Sequence, residues 1–273
     1  MKRILNLQAK RPLAALLGLL PIVLLIVVYS VASDMRLKAN PSDKLLPSFT
    51  QMSDSMQRMA LQPNQRTGEY LFWVDTSASL KRLAYGVLIA AALGLFIGVL
   101  TGSIPLIGTT FSPLLTIISL IPPLAILPIL FIVIGLGELS KVALIVLGIT
   151  PFIARDIQRR THEIPSEQLV KAQTLGANTS QVIIRVILPQ LMPKLIDAVR
   201  LSLGAGWLFL IASEAIASTE GLGYRIFLVR RYMSMDVIIP YVIWITLLAF
   251  LIDWLLAKFN QKLFPWHKSG GQR

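Results

Sequence analysis

Long apolar runs broken by short polar stretches set the pattern of this 273-residue chain. Residues 83–137 carry no charged side chain. About 20 apolar residues in a helix cross a bilayer core, so this run alone is long enough for two spans. Six apolar segments stand out: 13–31, 80–100, 111–136, 141–154, 195–213 and 237–256. The fourth is short, and Lys141 at its head reaches the interface by snorkelling. The pattern predicts an all-α, polytopic membrane protein with about six transmembrane helices.

The polar stretches divide the chain further. Residues 1–33 hold an N-terminal end and the first span, 34–79 an outer segment, 80–258 the remaining spans, and 259–273 a tail. The outer segment carries Pro41, Pro47 and Pro63 and is too irregular for a core of its own. Short interfacial helices are predicted there over 48–59 and 71–80. Residues 155–194 form a long polar loop that reads as two short helices. Pro165 suits a first turn, with Ser166 as a cap. Gly176 suits the left-handed residue that stops a helix. Asn178 with Gln181 matches a capping box that restarts one, and Pro189 breaks it again.

Composition agrees with the pattern. The chain is 55% hydrophobic, with a mean hydropathy of +0.68. Its net charge of +12 reads as a topology signal rather than a nucleic-acid surface, because the basic residues flank apolar spans. With the N-terminus inside, Arg155, Arg159, Arg160, Lys171, Arg185 and Lys194, with Lys258, Lys262, Lys268 and Arg273 of the tail, lie on the cytoplasmic side. Asp34, Asp43, Asp54, Glu69, Asp75, Glu220 and Asp236 fall outside. Lys81 and Arg82, at the outer mouth of the second span, oppose this rule. The first apolar run is longer than a signal-peptide core of about 7–15 residues and reads as an uncleaved helix. With no cysteine, there is neither a disulfide framework nor a thiolate metal site.

Candidate sites follow from chemistry that is unusual at membrane depth. Pro122 and Pro123 fall midway along the third span and expose backbone carbonyls there. Broken helices in a membrane are buried in protein or line a cavity. Ser119, Pro122 and Pro123 therefore mark either a translocation surface or a packing kink. Glu214 ends the fifth span as an outer gate residue or an interfacial acid. Gly86, Ala90, Gly94 and Gly98 line one face of the second span, either for ordinary span packing or for a dimer surface. Asp197 and Arg200, one turn apart, are expected to pair with each other. His162 and His267 have no metal-ligating partner at useful spacing, and no zinc-protease, nucleophile-elbow or Walker motif is present.

The loop resembles a known motif. ABC importer permeases carry a Glu-Ala-Ala triplet, a glycine one turn on, and a closing Ile-x-Leu-Pro. Ala172, Gly176, Leu188 and Pro189 meet that pattern, with Val170, Lys171 and Val186 in place of the Glu, the first Ala and the Ile. Ile121-Pro122-Pro123-Leu124-Ala125, Gly135-Leu136-Gly137-Glu138, Ala212-Ser213-Glu214 and Pro265-Trp266-His267 resemble the nitrate, sulfonate and taurine branch. The resemblance implies an inner-membrane permease with cytoplasmic termini and a type I importer fold, acting as a homodimer. It implies two ATPase subunits that bind ATP and Mg and dock at Ala172, Gly176, Leu188 and Pro189. It also implies a binding protein outside that presents a small oxyanion. This chain itself would then hold no cofactor and catalyse no reaction. The competing expectation is a secondary transporter or channel, in which the loop only connects spans and packs on them.

Overall fold

The computed structural model describes residues 11–41, 43–65 and 68–266. It is built of helices: α1 (Arg11–Ala39), α2 (Phe49–Leu61), α3 (Leu71–Ser103), α4 (Pro105–Leu120), α5 (Pro123–Val133), α6 (Glu138–His162), α7 (Ser166–Thr174), α8 (Thr179–Val182), α9 (Leu188–Ala217), α10 (Leu222–Arg230) and α11 (Met235–Leu263). A single π-helical turn, Ile183–Ile187, joins α8 to α9. His267 and the ends of the chain lie outside the described residues.

Each of the six predicted spans lands on helix. Four helical stretches are long and apolar enough to cross a membrane, beginning at Leu16, Leu71, Thr179 and Met235. The bent pair α4–α5 makes a fifth, folded by 91° at its break. The sixth, α6, carries Glu138, Lys141 and Arg155 and is too charged to qualify on composition. Its position accounts for this. Leu144, Ile145, Ile149, Ile153 and Ile157 are buried on α6 by neighbouring helices rather than by lipid.

The small-residue face of α3 packs on α6. A methyl group on Gly86 would meet Ile145, and one on Gly94 would meet Ile153 at 2.6 Å. Gly98 lies against the Ala154 carbonyl and Ile157. Lipid offers no hydrophobic drive between helices, so such close approach and its dispersion contacts hold them together. Span packing within one chain is thus the role of this stripe.

The outer segment differs from expectation at one place. Ser48 caps α2 through a capping box with Gln51, close to the predicted start. Residues 71–80 are not a separate interfacial helix but the first turns of α3. Their polar residues Asp75, Thr76 and Ser79 are buried, which a sequence pattern reads as solvent exposure. The helix α1 is tied to the segment that follows it. Tyr29 donates to the Pro47 carbonyl, Ser33 donates to the Leu46 carbonyl, and Arg36 pairs with Asp43 at 3.0 Å.

Candidate functional site

The polar loop folds as a compact knob. Gly176 has φ +85°, and the Ala177 amide donates back to the Ala172 carbonyl, closing α7. Only glycine enters this left-handed region without strain. Asn178 and Gln181 form the predicted capping box. Two expectations fail. Pro165, not Ser166, occupies the position before α7, and no side chain caps it. Pro189 does not break the helix either. The π-turn before it, closed by the Leu188 amide on the Ile183 carbonyl, widens the backbone. The wider turn absorbs the missing proline amide and the steric demand of the ring.

The knob has two apolar faces. Leu169, Ala172, Val182 and Leu188 pack inward on a cluster with Ile153, Ile157 and Leu191. Val170, Leu175 and Ile184 point away, 58%, 82% and 60% exposed. Gly176 and Pro189 are exposed as well. Packing on the chain's own spans and presentation of an outward surface therefore coexist, on opposite sides. Ala172 belongs to the inward side, so its small side chain serves the chain's own packing.

The break between α4 and α5 falls at Ile121 and Pro122, where the sequence placed it. Pro123 starts α5. Ser119 sits one turn before the break, donates to the Thr116 carbonyl, and accepts from Arg155 of α6 at 2.7 Å. Gln158 of α6 bonds Ser112 of α4. These two contacts hold α4 across α6 near the end predicted to face the cytoplasm.

At the opposite end lies a buried polar network. Glu214 of α9 is fully buried. It accepts from Ser79 of α3, from the Gly223 amide, and from Arg82 at 2.8 Å. Arg82 also grips Glu138 with two nitrogens and the Glu220 carbonyl with a third bond. Lys141, itself buried, bonds Glu138 and Ser218. Beside this, Asp75 accepts from the Gly221 amide, Arg225 and Tyr241. Ser79 links the halves by accepting from the Leu222 amide. Five helices, α3, α6, α9, α10 and α11, and the Gly221-Leu222-Gly223 turn are thereby tied together. A side chain at Gly221, with φ +126°, would collide with the Glu214 carboxylate.

Arg82 is the residue that opposed the topology rule, and its burial among carboxylates gives the reason. It is a structural charge rather than a marker of sidedness. Glu214 is correspondingly not an interfacial acid. Sequence reasoning missed Asp75, Ser79, Arg82, Glu138 and Arg225 as members of one network. The available signal was the anomaly of Lys81 and Arg82 itself. Asp197 and Arg200 pair as expected, at 3.5 Å. Arg200 also grips Asp253 of α11 with two shorter bonds, and Asp197 accepts from Asn260.

A bundle of long apolar helices with a bent fourth element and a helical loop between α6 and α9 has the build of a polytopic membrane protein. Residues 90–265 match the family model of the binding-protein-dependent transport system inner membrane component. The chain is 33% identical over 195 residues to the taurine transport system permease TauC of Escherichia coli, covering 71% of each. It is 30% identical to the putative aliphatic sulfonates permease SsuC of Bacillus subtilis, covering 70% of this chain and 69% of that one. It is 29% identical to the bicarbonate permease CmpB of Synechococcus elongatus, covering 68% and 67%. The fold matches that of a chain of the inward-facing MetNI methionine ABC transporter, with a TM-score of 0.63 at 20% identity over 73% of this chain and 99% of that chain. The chain belongs to the binding-protein-dependent transport family. It is a transmembrane permease subunit of an ABC importer, with a type I importer fold.

Proposed function

We propose that two copies of this chain form the translocation pathway for a small oxyanion, driven by two cytoplasmic ATPase subunits. The ATPases bind ATP and Mg; a binding protein on the outer face delivers the cargo. The observation that carries the ATPase contact is the outward face of the knob. Val170, Leu175 and Ile184 are exposed there while the opposite face is packed on the spans. Gly176 fixes the turn that presents Leu175, and Leu188 and Pro189 set how the knob joins α9. Ala172 acts from beneath by letting α7 lie close to its own bundle. In this reading ATP-driven closure pulls the knob, and α6 and α9, which frame it, carry the motion into the membrane.

The cargo class is supported by the taurine, sulfonate and bicarbonate relatives. Ser119, Pro122 and Pro123 line the pathway at the bent pair. Glu214, held by Arg82 and Ser79, stiffens the outer end as a structural gate element. The termini lie in the cytoplasm of a bacterial cell.

Purification tests the ATPase assignment. The chain, isolated from its native membrane, should bring down a subunit that binds ATP and hydrolyses it. A chain reconstituted alone that transports at full rate would instead establish a secondary transporter or channel.

A further inference from the structure

We propose that Arg155 is the cation that meets the oxyanion cargo at the inner end of the pathway. This rests on the cargo reading above and goes beyond it by assigning a residue. Arg155 stands at the inner limit of the charge-free stretch 142–154 of α6. Its guanidinium donates to the Ser119 hydroxyl at 2.7 Å, beside the bend at Pro122. The neighbouring carboxylates are engaged elsewhere. Asp156 pairs with Arg160 at 2.6 Å, and Glu163 with Arg159 at 3.3 Å. Among the described residues Arg155 forms no ion pair.

The space around it is open. Arg155 lines a cavity of about 510 Å³ together with Thr116, Phe152, Asp156, Gln158, Arg159 and His162; Asp156 and Arg159 are the members already paired, with Arg160 and Glu163. Phe152 and Asp156 also wall a second cavity of about 300 Å³, which Ser202 and Leu201 of α9 complete. The two cavities share Phe152 and Asp156 of α6, one bounded by α4 and the other by α9. A guanidinium offers five donors in a planar fork that matches two oxygens of a carboxylate, sulfonate or bicarbonate. One of those donors is held by Ser119; among the described residues no other hydrogen bond to the guanidinium is seen.

An arginine at the inner end of a span has a plainer use, as a topology charge that reaches toward lipid headgroups. Lysine serves that use equally well, but it cannot form the fork. The two roles therefore separate on substitution. The complete transporter, with its ATPase and binding protein, is reconstituted in vesicles and supplied with labelled taurine, ethanesulfonate and bicarbonate. Arg155→Gln and Arg155→Lys should each lower uptake of the carried solute about 10-fold to 100-fold, the loss expected for a charge-assisted hydrogen-bonding partner. Wild-type uptake by Arg155→Gln overturns the assignment. So does wild-type uptake by Arg155→Lys, which leaves only a topology charge. If wild-type vesicles carry none of these solutes, the oxyanion reading fails and this assignment with it, while family membership stands.

A second measurement does not depend on transport. The chain has no cysteine, so Thr116→Cys places a single thiol in the cavity. A negatively charged methanethiosulfonate should modify it several-fold faster than a positively charged one, relative to the same pair on a free thiol. Adding Arg155→Gln should remove most of that preference. A preference unchanged by Arg155→Gln overturns the assignment.

Discussion

Replacing Arg82 with methionine isolates what the outer network contributes. Methionine keeps most of the side chain's length, so little cavity forms, but Glu214 loses its cation. Glu214 is fully buried and would keep only the Ser79 hydroxyl and the Gly223 amide. Removing one partner of a buried pair costs about 3–5 kcal/mol, because the other charge stays desolvated. In a chain of this size about 1 kcal/mol moves a thermal midpoint by roughly 2–4 °C, so Arg82→Met should lower it by roughly 6–20 °C. Glu138 adds little to the loss, since its side chain is 62% exposed and regains water. Adding Glu214→Gln removes the stranded charge and keeps an oxygen for Ser79 and Gly223. The double variant should therefore recover at least half of the loss. Thermal unfolding of the detergent-purified chain, followed by tryptophan fluorescence, reads all three proteins. A drop of under about 2 °C in Arg82→Met, or a double variant less stable than Arg82→Met, would refute the reasoning.

Three further outcomes follow from local geometry. Gly98→Ala should destabilise by about 1–3 kcal/mol through overpacking, because its methyl would lie 2.6 Å from the Ala154 carbonyl oxygen; Gly18→Ala, with nothing within 4 Å, should leave the same unfolding midpoint unchanged. Gly176→Pro should leave the chain in the membrane but uncouple ATP hydrolysis from uptake, since proline holds φ near −65° where Gly176 needs +85°; normal uptake would contradict the docking role of the turn. Ile184→Asp should reduce ATPase co-purification at least about 10-fold, the scale of a buried apolar anchor, with little change in unfolding midpoint because Ile184 is 60% exposed; full retention of the ATPase would place the contact elsewhere.

The sequence by itself determined the all-α membrane class, the location of the spans, the knob and the break at Pro122. These are local matters. Apolar run length decides a span, two adjacent prolines interrupt a helix, and Gly176 with the Asn178 capping box ends one helix and begins another. The motif around Ala172 and Gly176 was legible for the same reason, since its residues are close in sequence. What the sequence left open was decided by contacts between distant segments. Asp75, Arg82, Glu138 and Glu214 read separately as outer polar residues, yet folding draws them together from three helices. Arg200 pairs with Asp197, one turn away, and also with Asp253 on α11, a partner no local spacing announces. The short apolar stretch of α6 became a central helix because α3 presents glycines to it. Pro189 continues a helix because the turn before it widens. In each case burial by other parts of the chain changed what a polar or helix-breaking residue costs, and a one-dimensional pattern carries no record of which segments will do the burying.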